Sequence, residues 1–149
     1  MKKTILLVLV FVLAASSCLA SEAAFEVKIE EIREIPSFET NQKIIMYDGG
    51  EKIVPHAQHP SDGSKFVLAG VTVEKKGSGA ASVNLGKLAL SVDGEKYDRI
   101  DDGFLANHNY RRLPGYSISF GSKSGYVCFM IPAGQSIASA EIVTDATEH

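Results

Sequence analysis

Past its first twenty residues, the sequence predicts an all-β fold of about seven or eight antiparallel strands packed as a two-sheet sandwich, with a closed barrel as the alternative. Three observations lead there. Short runs of β-branched and aromatic residues recur from end to end, punctuated by Gly, Pro, Asn and Asp, the pattern of a sandwich or barrel. No helical segment separates these runs, so parallel crossovers are not expected and neighbouring strands pair antiparallel. Asp93-Gly94 stands between two alternating runs and marks a type I′ hairpin, because both central residues of that turn need positive φ.

Taken in order, Phe25-Glu26-Val27-Lys28-Ile29 alternates apolar and charged residues as a half-buried strand does. Ile32 falls out of phase, and Phe25, Ile29 and Ile32 would also fit one face of a helix; the strand is the favoured reading, with a bulge near Glu30-Glu31 restoring the pattern through Arg33 and Ile35. A second strand spans Lys43 to Tyr47 and stops at Asp48-Gly49-Gly50. Residues 51–64, with Pro55, Pro60 and Ser61-Asp62-Gly63, read as a loop. The strongest strand is Lys65 to Lys76. Its unbroken Phe66-Val67-Leu68-Ala69 start implies burial on both faces. Leu88, Leu90 and Val92 alternate into the Asp93-Gly94 turn and return as Glu95-Lys96-Tyr97. Tyr116, Ile118 and Phe120 alternate with serines, residues 121–125 make a tight loop, and Gly125 to Pro132 follows as a strand. The last strand covers Ile137 to Thr144.

The first twenty residues have another purpose. Met1-Lys2-Lys3 is followed by an uncharged run from Ile5 to Ala15, too short for the about 20 apolar residues of a spanning helix and matching the core of a secretory signal. Residues 1–20 are therefore expected to be a signal peptide, and residues 21–149 a single domain with its core at about 25–145. Two cleavage chemistries fit. Cys18-Leu19-Ala20 before Ser21 suits ordinary signal peptidase, and Ala15-Ser16-Ser17-Cys18 suits lipidation at Cys18. The product is periplasmic, extracellular or lipid-anchored at the cell envelope, touching membrane only through that lipid. Losing Lys2 and Lys3 moves the formal charge from −3 to −5. An acidic surface of this kind argues against nucleic acid as a partner, since phosphate binding needs a basic footprint. Only Cys128 of the two cysteines remains beyond Cys18, so no intramolecular disulfide forms and packing alone must hold the domain.

Four motifs share an order and spacing that resemble a family of bacterial and archaeal exported domains of unknown function, often lipoproteins, with an immunoglobulin-like sandwich. They are Gly63-x-Lys65-Phe66, Asp93-Gly94-x-x-Tyr97, Pro114-Gly115, and Gly125-x-Val127-x-Phe129-x-Ile131-Pro132. The resemblance spans residues 25–145 and implies an immunoglobulin-like fold and an envelope or extracellular setting. It implies no activity, cofactor or ligand residue. The long strand here ends Glu74-Lys75-Lys76-Gly77, where family members often continue into an Asn-containing turn. The chain also has no Trp, so the Cys-Trp-Cys core of antibody domains is absent.

Several clusters are candidate sites. The segment Asn107 to Tyr116 gathers His108, Tyr110, Arg111, Arg112 and Tyr116. Arginine offers bidentate contacts to carboxylate or phosphate, and tyrosine offers rigid amphipathic area. This segment is the expected contact with a protein, peptide or cell-envelope component. The alternative for it is structural, with the arginines paired to Asp101 or Asp102. His56, His59 and Asp62 are the best metal-ligand set, an ordinary exposed loop being the competing reading. Asp98, Asp101, Asp102 and Gly103 suggest hard-cation chemistry but lack the twelve-residue EF-hand spacing. Gly115-Tyr116-Ser117-Ile118-Ser119 lacks the final glycine and the strand–turn–helix setting of a nucleophile elbow. Cys128 lies inside a strand, out of phase with Val127 and Phe129, and reads as a buried thiol. These readings point to a non-enzymatic binding domain without a cofactor. A metal- or small-ligand-binding protein is the second choice, and the oligomeric state is left open.

Overall fold

A computed structural model describes residues 24–144 and 146–148. The expected signal peptide, the Cys18 lipidation site and the cleavage point before Ser21 lie outside the described residues. Among the described residues eleven strands follow one another: β1 (Phe25–Ile35), β2 (Phe38–Ile45), β3 (Glu51–Gln58), β4 (Ser64–Lys75), β5 (Ala81–Asn84), β6 (Ala89–Val92), β7 (Glu95–Asp98), β8 (Ser117–Ile118), β9 (Ser122–Pro132), β10 (Glu141–Val143) and β11 (Ala146–Glu148). Short 3-10 helices at Leu85–Lys87 and Gly103–His108 interrupt them. All pairings between these strands are antiparallel, and among the described residues no sheet closes into a barrel. The protein is an all-β sandwich.

Its centre is the sheet β1-β4-β9. Strand β4 is buried without a break from Phe66 to Val71, as its continuous apolar start predicts. Alternate residues go to opposite faces. On the inner face, Val67, Ala69, Val71 and Val73 meet Val127, Phe129 and Ile131 of β9. Two smaller sheets, β10-β6-β7 and β11-β5-β8, cover that face, bringing Val83, Leu88, Leu90, Val92, Ile118 and Ile142 into the same cluster. Each fully buried aliphatic side chain of this kind stabilises the fold by about 1.5–3 kcal/mol. On the outer face Phe66, Leu68 and Cys128 form a second cluster, capped by Phe38 and Leu105. That cap covers only one end. Toward the other end the outer face becomes polar through Gly70, Thr72, Ser124 and Tyr126.

Several local expectations meet their physical counterparts. The β1 ladder slips between Ile29 and Glu31, the bulge that the broken alternation required. Asp93 (φ 49°) and Gly94 (φ 84°) both take positive φ, as a type I′ turn demands.

Others need correction. Residues 51–64 are not a loop throughout, because Glu51–Gln58 pairs with β2 from Phe38↔Gln58 to Ile45↔Glu51. Two prolines disguised this strand, yet β3 is an edge strand, where a residue without an N–H is tolerated. The strand expected over Tyr116 to Phe120 shrinks to Ser117–Ile118, and the last one to Glu141–Val143 followed by β11. Strand β5, four residues long, is too short to show an alternation. The strand number accordingly exceeds the seven or eight expected from about the usual spacing of turn signals.

Candidate functional site

The segment after β7 is held by a buried ion pair. Arg99 bridges to Phe129 of β9, and Asp102 lies just ahead of the 3-10 helix Gly103–His108. The Asp102 carboxylate, fully buried, accepts from Arg99 Nε at 2.7 Å, Arg99 Nη2 at 3.0 Å, Arg112 Nε at 2.5 Å and the Cys128 backbone N–H at 3.2 Å. The rest of the Arg99 guanidinium donates to the carbonyls of Leu85 (2.9 Å), Pro114 (3.0 Å) and Leu113. A buried pair survives desolvation only when its remaining donors and acceptors are satisfied, and here they are. The clamp fixes residues 112–114 against β9, where Leu113 N–H donates to Tyr126 O (2.9 Å) and Tyr126 N–H to Arg111 O (2.8 Å). Gly125 makes the approach possible. A Cβ there would lie 2.5 Å from Leu113 N and 2.7 Å from its Cα.

This attachment places Arg111 on the rim of a shallow groove in the outer face. Gly70, Thr72, Ser124 and Gly125 line it, Tyr126 stands along it, and Glu30 lies at the far side. Gly70 lets the Tyr126 ring rest on the sheet, since a Cβ would sit 3.2 Å from the ring. The Tyr126 hydroxyl donates to Glu31 Oε2 at 3.1 Å. That bond and the Glu31 charge push the hydroxyl's pKa up, so it remains a donor. Tyr110 packs edge-on to Tyr126 (5.0 Å, 62°). Arg33 stacks on Tyr110 at 5.7 Å, donates to its hydroxyl, and pairs with Glu31 at 3.0 Å. Among the described residues, every guanidinium near the groove is thus engaged except one. Arg111 is exposed and, among the described residues, its side chain forms no hydrogen bond or ion pair.

The structure divides the five residues expected to bind. Tyr110 and Arg111 reach the groove region. Arg112 is consumed by Asp102, the structural alternative for that residue. His108 packs into an aromatic cluster with Phe38 (5.5 Å), Phe104 (6.3 Å) and His56 (6.3 Å, stacked). Tyr116 is exposed but does not line the groove, and its carbonyl accepts from Leu85 N–H.

The metal set is also divided. His56 sits on β3 against His108, while His59 and Asp62 are exposed in the loop before β4. Among the described residues no group of three or more His, Cys, Asp or Glu side chains is placed to hold a metal ion. Asp98 is exposed on β7, Asp101 caps Gly103 N–H at 3.3 Å, and Asp102 is committed to the clamp. The Cys128 thiol is pushed up to about 12, first by burial and then by the Asp102 charge, which keeps it protonated and inert at neutral pH. Glu31 and Arg33 on β1 went unnoticed as parts of the site because their partners Tyr126 and Tyr110 lie 95 and 77 residues away along the chain. Gly125 carried a readable signal, a glycine inside a strand often marking close backbone approach.

No protein-family model matches the sequence, and no curated protein matches it. Among solved structures, it is similar to a "putative lipoprotein" (ycdA) of Bacillus subtilis, at 17% identity and a TM-score of 0.43. The match covers 87% of this chain and 38% of that one, so the chain spans well under half the length of the protein it matches.

Proposed function

We propose that the protein is an exported, non-enzymatic binding domain that holds an anionic group of a protein, peptide or cell-envelope component in the groove beside Arg111. One observation carries this reading: among the described residues Arg111 is the single unengaged guanidinium at the rim, while its neighbour Arg112 and the facing Arg33 are locked in place. An arginine without an internal partner loses nothing internal when it turns to a ligand carboxylate or phosphate, and the planar fork favours bidentate contact. Tyr126 supplies a flat apolar wall, and Thr72 and Ser124 supply hydroxyls that already share one hydrogen bond at 2.8 Å. Export rests on residues 1–20. The immunoglobulin-like kinship rests on the four turn-and-strand motifs, and both agree with an envelope partner.

Amide chemical-shift mapping with fractionated envelope extract tests the reading. Shifts should cluster at Gly70, Thr72, Arg111, Ser124 and Gly125, and compete with added polyanion. Shifts confined to another surface would contradict it.

A further inference from the structure

The β2–β3 hairpin stands apart from the groove and obeys different physics. Its base is anchored, because Phe38 packs on Phe66, Phe104 and Tyr110. Beyond Thr40↔His56 nearly every residue of the arm is exposed. Among the described residues, the arm's packing on the rest of the fold is confined to its base. An isolated two-stranded hairpin is marginal in water, and this one also presents apolar side chains. Ile45 is 74% exposed, Ile53 67% and Tyr47 fully so, with Ile44 and Met46 beside them.

Register sorts these residues. Cross-strand partners share a face and the faces alternate, so Lys43↔Ile53 and Ile45↔Glu51 form a four-residue square on one face. Its isoleucines occupy one diagonal. Its charges, Lys43 and Glu51, occupy the other and pair at 2.6 Å.

A square of this kind is self-complementary. A two-fold axis along the isoleucine diagonal lays Ile45 on Ile45 and Ile53 on Ile53 of a second copy, and places Lys43 of each copy over Glu51 of the other. This is the isologous arrangement of a symmetric dimer. The contact is small. Ile44, opposite Lys52, lies on the other face, so the contact rests on Ile45 and Ile53 with Tyr47 at the tip and falls at the low end of interface sizes, below about 1,200 Å², the class of weak and reversible association. Past the base of the arm the charges cancel, with Lys43 and Lys52 against Asp48 and Glu51, which suits a second arm better than a strongly charged surface. We infer that the β2–β3 arm is a dimerisation element, whose occupant is the arm of a second copy of this chain.

The test is analytical ultracentrifugation of residues 21–149, which hold every described element. The wild type should show a concentration-dependent monomer–dimer equilibrium. Lys43→Glu places like charges across the two-fold, as does Glu51→Lys, and each variant alone should dimerise at least ten-fold more weakly. Mixed together they restore both cross-copy pairs, so the mixture should associate where neither variant does alone. Ile45→Ser with Ile53→Ser should be monomeric, with an unchanged unfolding midpoint. A wild type that stays monomeric up to millimolar concentration overturns the inference. So does a dimer that the arm variants leave intact, or a mixture no stronger than its components.

Discussion

The clamp around Asp102 and the β2–β3 arm show two opposite ways of presenting side chains. In the clamp, polar groups are buried and every one is answered. Four donors converge on one carboxylate, and Arg99 also ties down three carbonyls from the loops beside it. In the arm, apolar groups are exposed and little answers them past the Phe38 anchor. The clamp spends charge on rigidity and so fixes where Arg111 points. The arm leaves hydrophobic surface unspent and available to another molecule. Rigidity and availability thus come from the same chain by reversing which kind of group is left unsatisfied.

The largest effect is expected at Asp102. Asp102→Ala strands the Arg99 guanidinium inside the fold, and removing one partner of a buried pair costs about 3–5 kcal/mol. Urea unfolding should show a loss of that size, with the groove disordered before the inner core. Next comes the anchor of the arm. Phe38→Ala should cost about 3 kcal/mol, and trypsin should then cut at Lys43 or Lys52 while β9 stays intact, because the arm opens locally.

Cys128 gives a smaller effect that depends on pH. Its folded pKa lies above its unfolded value, so the stability it contributes is complete below pH ~9 and is lost as pH rises toward ~12. Tyr126 and Tyr97 are also raised by bonds to Glu31 and Glu95 and act in the same direction. Cys128→Ala should therefore flatten, without abolishing, the alkaline decline in unfolding free energy. Tyr47→Ser at the tip of the arm should be the mildest change, within about 0.5 kcal/mol by thermal melt in dilute solution, since the side chain touches little in one copy.

Much of the fold was legible because its signals are local. Alternation located β1, β4, β6 and β9, and Asp93-Gly94 marked its turn. Strand β3 was hidden because Pro55 reads as a breaker until its edge position is known, β5 is too short for periodicity to register, and the alternation over Tyr116 to Phe120 marked β8 but overran it. The site was half legible. Composition singled out residues 107–116, but nothing local separates Arg111 from Arg112. That distinction depends on Asp102, which the fold carries to Arg112, and on Gly125, which lets residues 111–113 join the sheet. Tyr126 and Arg33 complete the surroundings from strands on opposite edges of β4, a relation that only register reveals.

The neighbouring arginines offer the most direct test of the central claim that the clamp holds one guanidinium so that the next is free to bind. Arg111→Ala and Arg112→Ala should be compared for envelope-ligand binding and for unfolding free energy. Arg111→Ala should weaken binding at least ten-fold, about 1.4 kcal/mol, with stability unchanged. Arg112→Ala should lose about 1–3 kcal/mol of stability through its missing charged hydrogen bond. If Arg111→Ala binds as the wild type does, the claim is wrong.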